Sequence, residues 1–278
     1  MISNKTIAFL GAGSMAEAMI SGITEANIVP GNQLIISNRS NEARLQELHD
    51  HYGSRGIKRE DLNFEEVDLF VLAMKPKNID EVLDSIKDLI KPHQVVLSVL
   101  AGISTSYMEQ GLRDGQQVIR VMPNTSSMIG ESTTAISPGK HTRMDSMMDA
   151  KELLRSIGEV FVMEEEHMDI FTGIAGSGPA YFYYLMEHIE KTAEENGLDR
   201  EEARKIGAQT ILGAAKMILS QDESPEELRK KVTSPNGTTQ AGLEALSEYG
   251  GGEAISQAVK SAAKKSKQMS SNLEKAIV

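Results

Sequence analysis

Two stretches of this chain carry residues whose types and spacing can do chemistry. The first is Gly11-Ala12-Gly13-Ser14-Met15-Ala16, which follows the apolar run Ile7 to Leu10 and opens a helical pattern. That is the setting of a dinucleotide fingerprint: Gly11 makes the tight turn, Gly13 lets the backbone approach a pyrophosphate, and Ala16 takes the packing position. Free N–H groups at the helix start, around Ser14 and Met15, then face the pyrophosphate at the positive end of the helix dipole. The second stretch is Thr233-Ser234-Pro235-Asn236-Gly237-Thr238-Thr239, a hydroxyl-rich turn with Asn-Gly at its centre that runs into a helix carrying Leu243 and Leu246. Successive N–H groups and hydroxyls there suit a small carboxylate without help from lysine or arginine. An ordinary helix cap is the plainer alternative.

The end of the second strand candidate speaks to which dinucleotide. Ser37-Asn38-Arg39-Ser40-Asn41 holds no acid before Glu42, where an NAD site would place one on the ribose 2′-hydroxyl. Arg39 offers a guanidinium to a 2′-phosphate and Ser40 adds a hydroxyl, which favours NADPH; the competing possibility is a loop arginine with no ligand. Further turns belong on the same carboxyl edge of a sheet: Ala73-Met74-Lys75-Pro76, then Ala101-Gly102, then Met122-Pro123-Asn124-Thr125. Each alone is only loop punctuation, but their recurrence on one edge, where open α/β folds bind ligands, is informative.

The elements that must position these residues follow from periodicity. Short apolar runs alternate with helical patterns up to Met163, as in a doubly wound α/β domain with a parallel sheet. The strand candidates are Thr6 to Leu10, Leu34 to Ser37, Leu69 to Ala73, Val95 to Leu100, Val118 to Met122, Thr133 to Ile136 and Glu159 to Met163. Beyond the acidic run Glu164-Glu165-Glu166 only helical periodicity remains, so a domain of residues 1–163 is expected to precede an all-α domain of residues 164–278. Its helices are expected over Pro179 to Glu195 (capped by Ser177), Glu201 to Ser220, Pro225 to Lys231, Thr239 to Glu248, and Gly252 to the C-terminus. The run from Tyr181 to Met186 is apolar on every face and needs neighbours all round, which a second subunit can provide. Gly207-Ala208 and Gly213-Ala214-Ala215 would allow another helix to come close.

Composition excludes several classes. The 278 residues carry a net charge of −11, which opposes nucleic acid and anionic membranes, and no cysteine, which removes disulfides, thiolate zinc sites and a thiol nucleophile. No segment approaches the roughly 20 apolar residues of a membrane span, and the start of the chain lacks a signal-peptide core, so a cytoplasmic protein is expected. His49 and His51 point to different faces of a helical pattern, and His93, His141, His167 and His188 have no ligand-like neighbours in sequence; no metal site is expected.

Taken together these motifs resemble the pyrroline-5-carboxylate reductase family. The resemblance rests on Gly11 to Ala16, Asn38-Arg39-Ser40, Ala73 to Pro76, Ala101-Gly102, Arg120 to Asn124, Gly176-Ser177-Gly178-Pro179-Ala180 and Ser234 to Thr239, in order along nearly the whole chain. It implies a Rossmann domain followed by a helical dimerisation domain, with NADPH preferred and NADH possible, and dimers that gather into a ring of five. It implies hydride transfer to the C=N bond of Δ1-pyrroline-5-carboxylate, giving L-proline in the last step of proline biosynthesis. Ser234, Asn236, Gly237, Thr238 and Thr239 would then hold the substrate, with Thr239 facing its imine nitrogen. This chain departs from the family at Asn236, where a glycine is usual; asparagine tolerates a left-handed backbone better than most residues. It also departs at Glu60 to Asn63, which fail to place an asparagine at the adenosine ribose where the family often has one. Two rivals are a β-hydroxyacid dehydrogenase, whose catalytic lysine has no counterpart in Ala180 to Met186, and a non-catalytic NADPH-binding regulator.

Overall fold

A computed structural model describes residues 1–275 of the chain, which divide into two compact units: residues 1–177 together with 261–275, and residues 178–260. The last three positions of the helix expected from Gly252 to the C-terminus lie outside the described residues.

The first unit is a sheet flanked by helices. Its strands are β1 (Ile7–Leu10), β2 (Leu34–Asn38), β3 (Arg55–Lys58), β4 (Leu69–Leu72), β5 (Val95–Ser98), β6 (Gln117–Met122), β7 (Ser132–Pro138) and β8 (Gly158–Val162), in the order β3-β2-β1-β4-β5-β6-β7-β8. The helices between them are α1 (Ser14–Glu25), α2 (Glu42–Tyr52), α3 (Ile79–Ile86), α4 (Thr105–Gly111) and α5 (Met144–Leu154), followed by the short α6 (Met168–Phe171). Alternation along the strands feeds two separate cores. Ile7, Phe9, Leu34, Ile36, Val71 and Leu97 pack on α1, α2 and α5, while Ala8, Leu10, Ile35, Phe70, Leu72 and Val96 pack on α3 and α4. Both sets are buried, which is why these strands read as unbroken apolar runs.

Two features depart from the expectation of a parallel sheet built from the named strands. Strands β1 to β6 are parallel, but β7 pairs antiparallel with β6 and β8 runs parallel to β7, so the last two strands are reversed. The strand β3 was not anticipated: Arg-Gly-Ile-Lys is short and charged, and as an edge strand it is half exposed, so its pairing carries no hydrophobic signature. At the other side of the unit, the side chain of Arg120 on β6 is buried and pairs with Glu165 (2.7 Å) and Asp169 (3.8 Å). Ser266 Oγ donates to the same Asp169 (2.7 Å), which ties the end of the last helix, α11 (Gly251–Lys275), into this unit.

Ser177 does not cap the following helix. It has helical backbone angles (φ −89°, ψ −19°), and its N–H donates to the Thr172 carbonyl five residues back, closing a π-helical turn over Thr172–Gly176.

The second unit is helical, with α7 (Gly178–Glu195), α8 (Arg200–Ser220), α9 (Pro225–Lys231), α10 (Thr238–Glu248) and the start of α11. Gly207 of α8 meets α7 closely, since a Cβ there would lie 2.5 Å from Met186 Cε, whereas Gly213 faces open space. Phe182, Tyr183, Tyr184 and Leu185 are all exposed. The tie between α7 and α8 is ionic: buried Glu190 accepts from Arg204 (2.7 and 3.0 Å) and Arg200 (3.1 Å).

The Arg204 and Arg200 hydrogen bonds hold the Glu190 carboxyl at about 2, against an ordinary 4.5. A lowered folded value means that the contribution is complete above about pH 4.5 and fades as pH falls towards 2. Urea unfolding of the wild type and Glu190→Gln should therefore show a stability gap that is wide at about pH 5 and narrower at about pH 3. A gap independent of pH would show that the pair is not what joins the helices.

Candidate active site

The glycine turn sits where the strand order changes direction. From β1 the chain leads out to β2 and then crosses to β4 on the other side, leaving a crevice at their carboxyl ends. Gly11 stands there at φ +127°, its N–H donating to the Ser37 carbonyl (2.8 Å), and a Cβ on it would lie 2.5 Å from the Ala73 carbonyl oxygen. Only glycine fits. Gly13 is different: its φ of −80° suits any residue, and the nearest atom to a Cβ would be the Ala73 oxygen at 4.0 Å. It caps α1 without a side-chain hydrogen bond, so the N–H groups of Ser14, Met15 and Ala16 have no acceptor among the described residues. These donors converge on the space that the absence of a side chain at Gly13 leaves open.

One residue that shapes this turn carries no signal in the order of the residues. Arg44, from α2, donates through Nε to the Ala12 carbonyl (3.2 Å) and pairs with Glu17 of the first turn of α1 and with Glu47. Hydrogen bonds to Glu47 and Glu17 raise it above its ordinary value. By neutralising Glu17, Arg44 removes a negative charge that would oppose an anion at the start of α1.

The other cofactor candidates lie around the same edge. Asn38 spends its amide within the loop, donating to the Asn41 carbonyl (2.8 Å) and accepting from the Asn41 N–H (2.9 Å). Asn41 in turn caps α2. Arg39 and Ser40 are exposed, and Arg39 pairs with Glu81 of α3. Ala73 donates its N–H to the Leu10 carbonyl (3.1 Å), Met74 is half-buried, and Lys75 caps the 3-10 turn that starts at Pro76. Ala101 is half-buried; Gly102 is buried, at φ +75°, and faces Met269 of α11, whose Cβ would be 3.2 Å from one on the glycine. Asn124 holds the loop after β6 by donating to the Ala175 carbonyl (3.1 Å) in the π-helical turn.

In the second unit the hydroxyl-rich turn forms the start of α10. Asn236 takes φ +58°, so the left-handed position in the turn is filled by the asparagine itself, and its N–H donates to Gln240 Oε1 (2.8 Å). Gly237 is the N-cap residue, and a Cβ on it would lie 2.6 Å from Ser234 Oγ. Ser234, Thr238 and Thr239 are exposed, and the Thr238 and Thr239 hydroxyls and N–H groups have no partner among the described residues. Two free amides and two free hydroxyls at a helix N-terminus make a site for a carboxylate.

Known proteins share this plan. Residues 165–269 match the family model for pyrroline-5-carboxylate reductase dimerisation, and residues 6–102 match that for NADP oxidoreductase, coenzyme F420-dependent. Pyrroline-5-carboxylate reductase 1 of Bacillus subtilis is 58% identical over 275 residues, spanning 99% of this chain and 93% of the relative. The chain belongs to the pyrroline-5-carboxylate reductase family. Among solved structures, that of a pyrroline-5-carboxylate reductase from Coxiella burnetii superposes with a TM-score of 0.87 at 30% identity, covering 96% of this chain and 98% of that one. The Plasmodium falciparum pyrroline carboxylate reductase with NADP bound gives 0.85 at 28% identity, covering 96% and 99%. As a member of this family the chain is an oxidoreductase that acts on a small molecule and self-associates. Self-association accounts for the exposed aromatic face of α7, which stays uncovered among the described residues.

The glycine geometry makes a paired expectation. Gly11→Ala combines a left-handed backbone with a clash against backbone atoms of Ala73 and Met74, so it should cost about 2 kcal/mol or more and lower the melting temperature by several degrees. Gly13→Ala should cost less than about 1 kcal/mol, since only a cap is exchanged. Thermal unfolding of both variants checks this, and equal losses would contradict the assigned approach of the turn to Ala73.

Proposed function

We propose that this protein reduces Δ1-pyrroline-5-carboxylate to L-proline with NADPH as the preferred reductant, NADH being a poorer one. The observation that carries this reading is that both ligand-ready helix starts, α1 and α10, are intact in a chain that matches its relatives from end to end. The cofactor fits the first unit. The α1 amides face a pyrophosphate beside Gly11 and Gly13, with Ser14 and Met15 in the first turn; Asn38, Arg39 and Ser40 surround the adenosine ribose, and Ala73 to Pro76 with Ala101-Gly102 line the edge. When bound, the reduced nicotinamide supplies the hydride.

The residues of the chain do the rest. The α10 amides and the Ser234 and Thr238 hydroxyls bind the substrate carboxylate, and the Asn236-Gly237 turn shapes that cradle. The Thr239 hydroxyl donates to the ring nitrogen. As hydride adds to C5, the C=N π electrons pass to nitrogen, which takes a proton from solvent or through Thr239. A cyclic imine becomes a strong hydride acceptor once its nitrogen is hydrogen-bonded, so orientation and one donor suffice and no strong acid is required.

In this reading residues 1–163 serve the cofactor and residues 164–278 serve the substrate and self-association. The assembly is a ring of five dimers, for which light scattering would report about ten times the 30.3 kDa chain. The protein works in the cytoplasm; among the described residues no helix is long and apolar enough to cross a membrane.

The decisive assay follows NADPH oxidation with pyrroline-5-carboxylate, and NADP+ reduction with 3-hydroxyisobutyrate. Turnover with the first alone is expected; turnover with the second, or with neither, would overturn the proposal. Thr239→Val keeps the branched shape and deletes the hydroxyl. Loss of a hydrogen bond to a charged group, about 1.5–3 kcal/mol, should lower kcat roughly 10- to 150-fold while NADPH affinity barely moves. A kcat within twofold of wild type in the folded protein would show that another donor serves the nitrogen.

A further inference from the structure

Beside Arg39 stands a second arginine that the dinucleotide reading did not include. Asn38 and Lys58 are register partners on the neighbouring strands β2 and β3, so Arg39 and Arg59 leave the sheet side by side at its carboxyl edge. Arg39 pairs with the exposed Glu81 on α3, and Lys58 pairs with Glu42 (2.6 Å). The Arg59 side chain has no hydrogen bond or ion pair among the described residues, and its Nε is buried without a partner. Burial pulls this guanidinium below its ordinary value, the Arg39 charge pulls it further, and Glu81 acts in the opposite direction.

Of two neighbouring guanidiniums, one thus pairs with the single carboxylate at hand and the other is half-buried and unpaired. Such a group is unfavourable unless an anion comes to it. The place identifies the anion: the end of the second strand is where this fold holds the adenosine ribose, and a planar guanidinium fork matches a phosphate.

We propose that Arg59 completes with Arg39 a cradle for the 2′-phosphate of a phosphorylated dinucleotide, and that Glu81 holds the phosphate's place on Arg39 until that ligand displaces it. This rests on the dinucleotide reading above and adds to it a specificity residue and an internal competitor. Exchange of the Glu81 carboxylate for a phosphate dianion neutralises both arginines, whereas a 2′-hydroxyl would leave Arg59 unpaired and Glu81 in place. The cradle therefore discriminates through Arg59 as much as through Arg39.

The test is calorimetric titration of the full-length protein with 2′,5′-ADP and with ADP, which lacks the 2′-phosphate; neither requires turnover. Arg59→Gln should weaken 2′,5′-ADP roughly 10- to 150-fold, the loss of a charge-assisted hydrogen bond, and leave ADP within about threefold. Glu81→Gln should tighten 2′,5′-ADP several-fold without changing ADP. Arg59→Gln that spares 2′,5′-ADP, or weakens both ligands alike, would overturn the role of Arg59. Should that variant fail to fold, Glu81→Gln decides alone, and no gain in 2′,5′-ADP affinity would overturn the displacement. A wild-type protein that binds both ligands equally overturns only the cradle. One that binds neither overturns the dinucleotide reading itself.

Discussion

The turn after β1 passes so close to the end of β4 that a single carbon on Gly11 would overlap the Ala73 carbonyl, and the rest of the carboxyl edge is arranged around that approach. Because Gly11 is tied to Ser37 on one side and meets Ala73 on the other, the ends of β2 and β4 are held in fixed relation to the start of α1. The free amides of α1 then point into the crevice at the switch in strand order. Arg44 completes the arrangement from below: it holds the Ala12 carbonyl and cancels the charge of Glu17, so that the helix start faces the crevice with its positive end unopposed.

Electrostatics on this edge is local. The chain carries a net −11, yet the group at the ends of β2 and β3 places Arg39 and Arg59 together against one exposed carboxylate. An acidic protein can bind an anionic cofactor because screening in water confines charge effects to about 10 Å, so the nearest groups decide. In the helical unit the start of α10 offers groups that are polar but uncharged: backbone amides and exposed hydroxyls. Backbone and hydroxyl dipoles at a helix start can hold a carboxylate without a fixed cation beside it.

The helical unit has a different economy of burial. Within it the α7–α8 pair is fastened by Glu190 and its two arginines and by the close fit of Met186 against Gly207, while aromatic and aliphatic side chains of the same helices are exposed. An isolated chain would leave that apolar surface in water, so association with another copy is part of its folding thermodynamics.

Much of this was legible from residue order alone. Apolar runs located seven of the strands because buried strands show on the chain as continuous hydrophobicity, and the glycine spacing after the first located the turn because only a residue without Cβ can occupy it. The start of α10 was legible because its Pro, Asn, Gly and Thr are local instructions, and the unbroken apolar run of α7 by itself calls for a partner. Tertiary structure alone decided the rest. The strand β3 is four residues of mostly polar character whose existence depends on a neighbour 20 or so positions away, and the reversal of β7 depends on pairing geometry that leaves no trace in composition. Arg44 and Arg59 are two of many charged residues in the sequence; one becomes the support of the turn and the other the unpaired guanidinium beside Arg39 only when the fold brings distant segments together. Local preference is written in neighbouring residues, whereas the charge at a site is the sum over whatever the packed chain sets beside it.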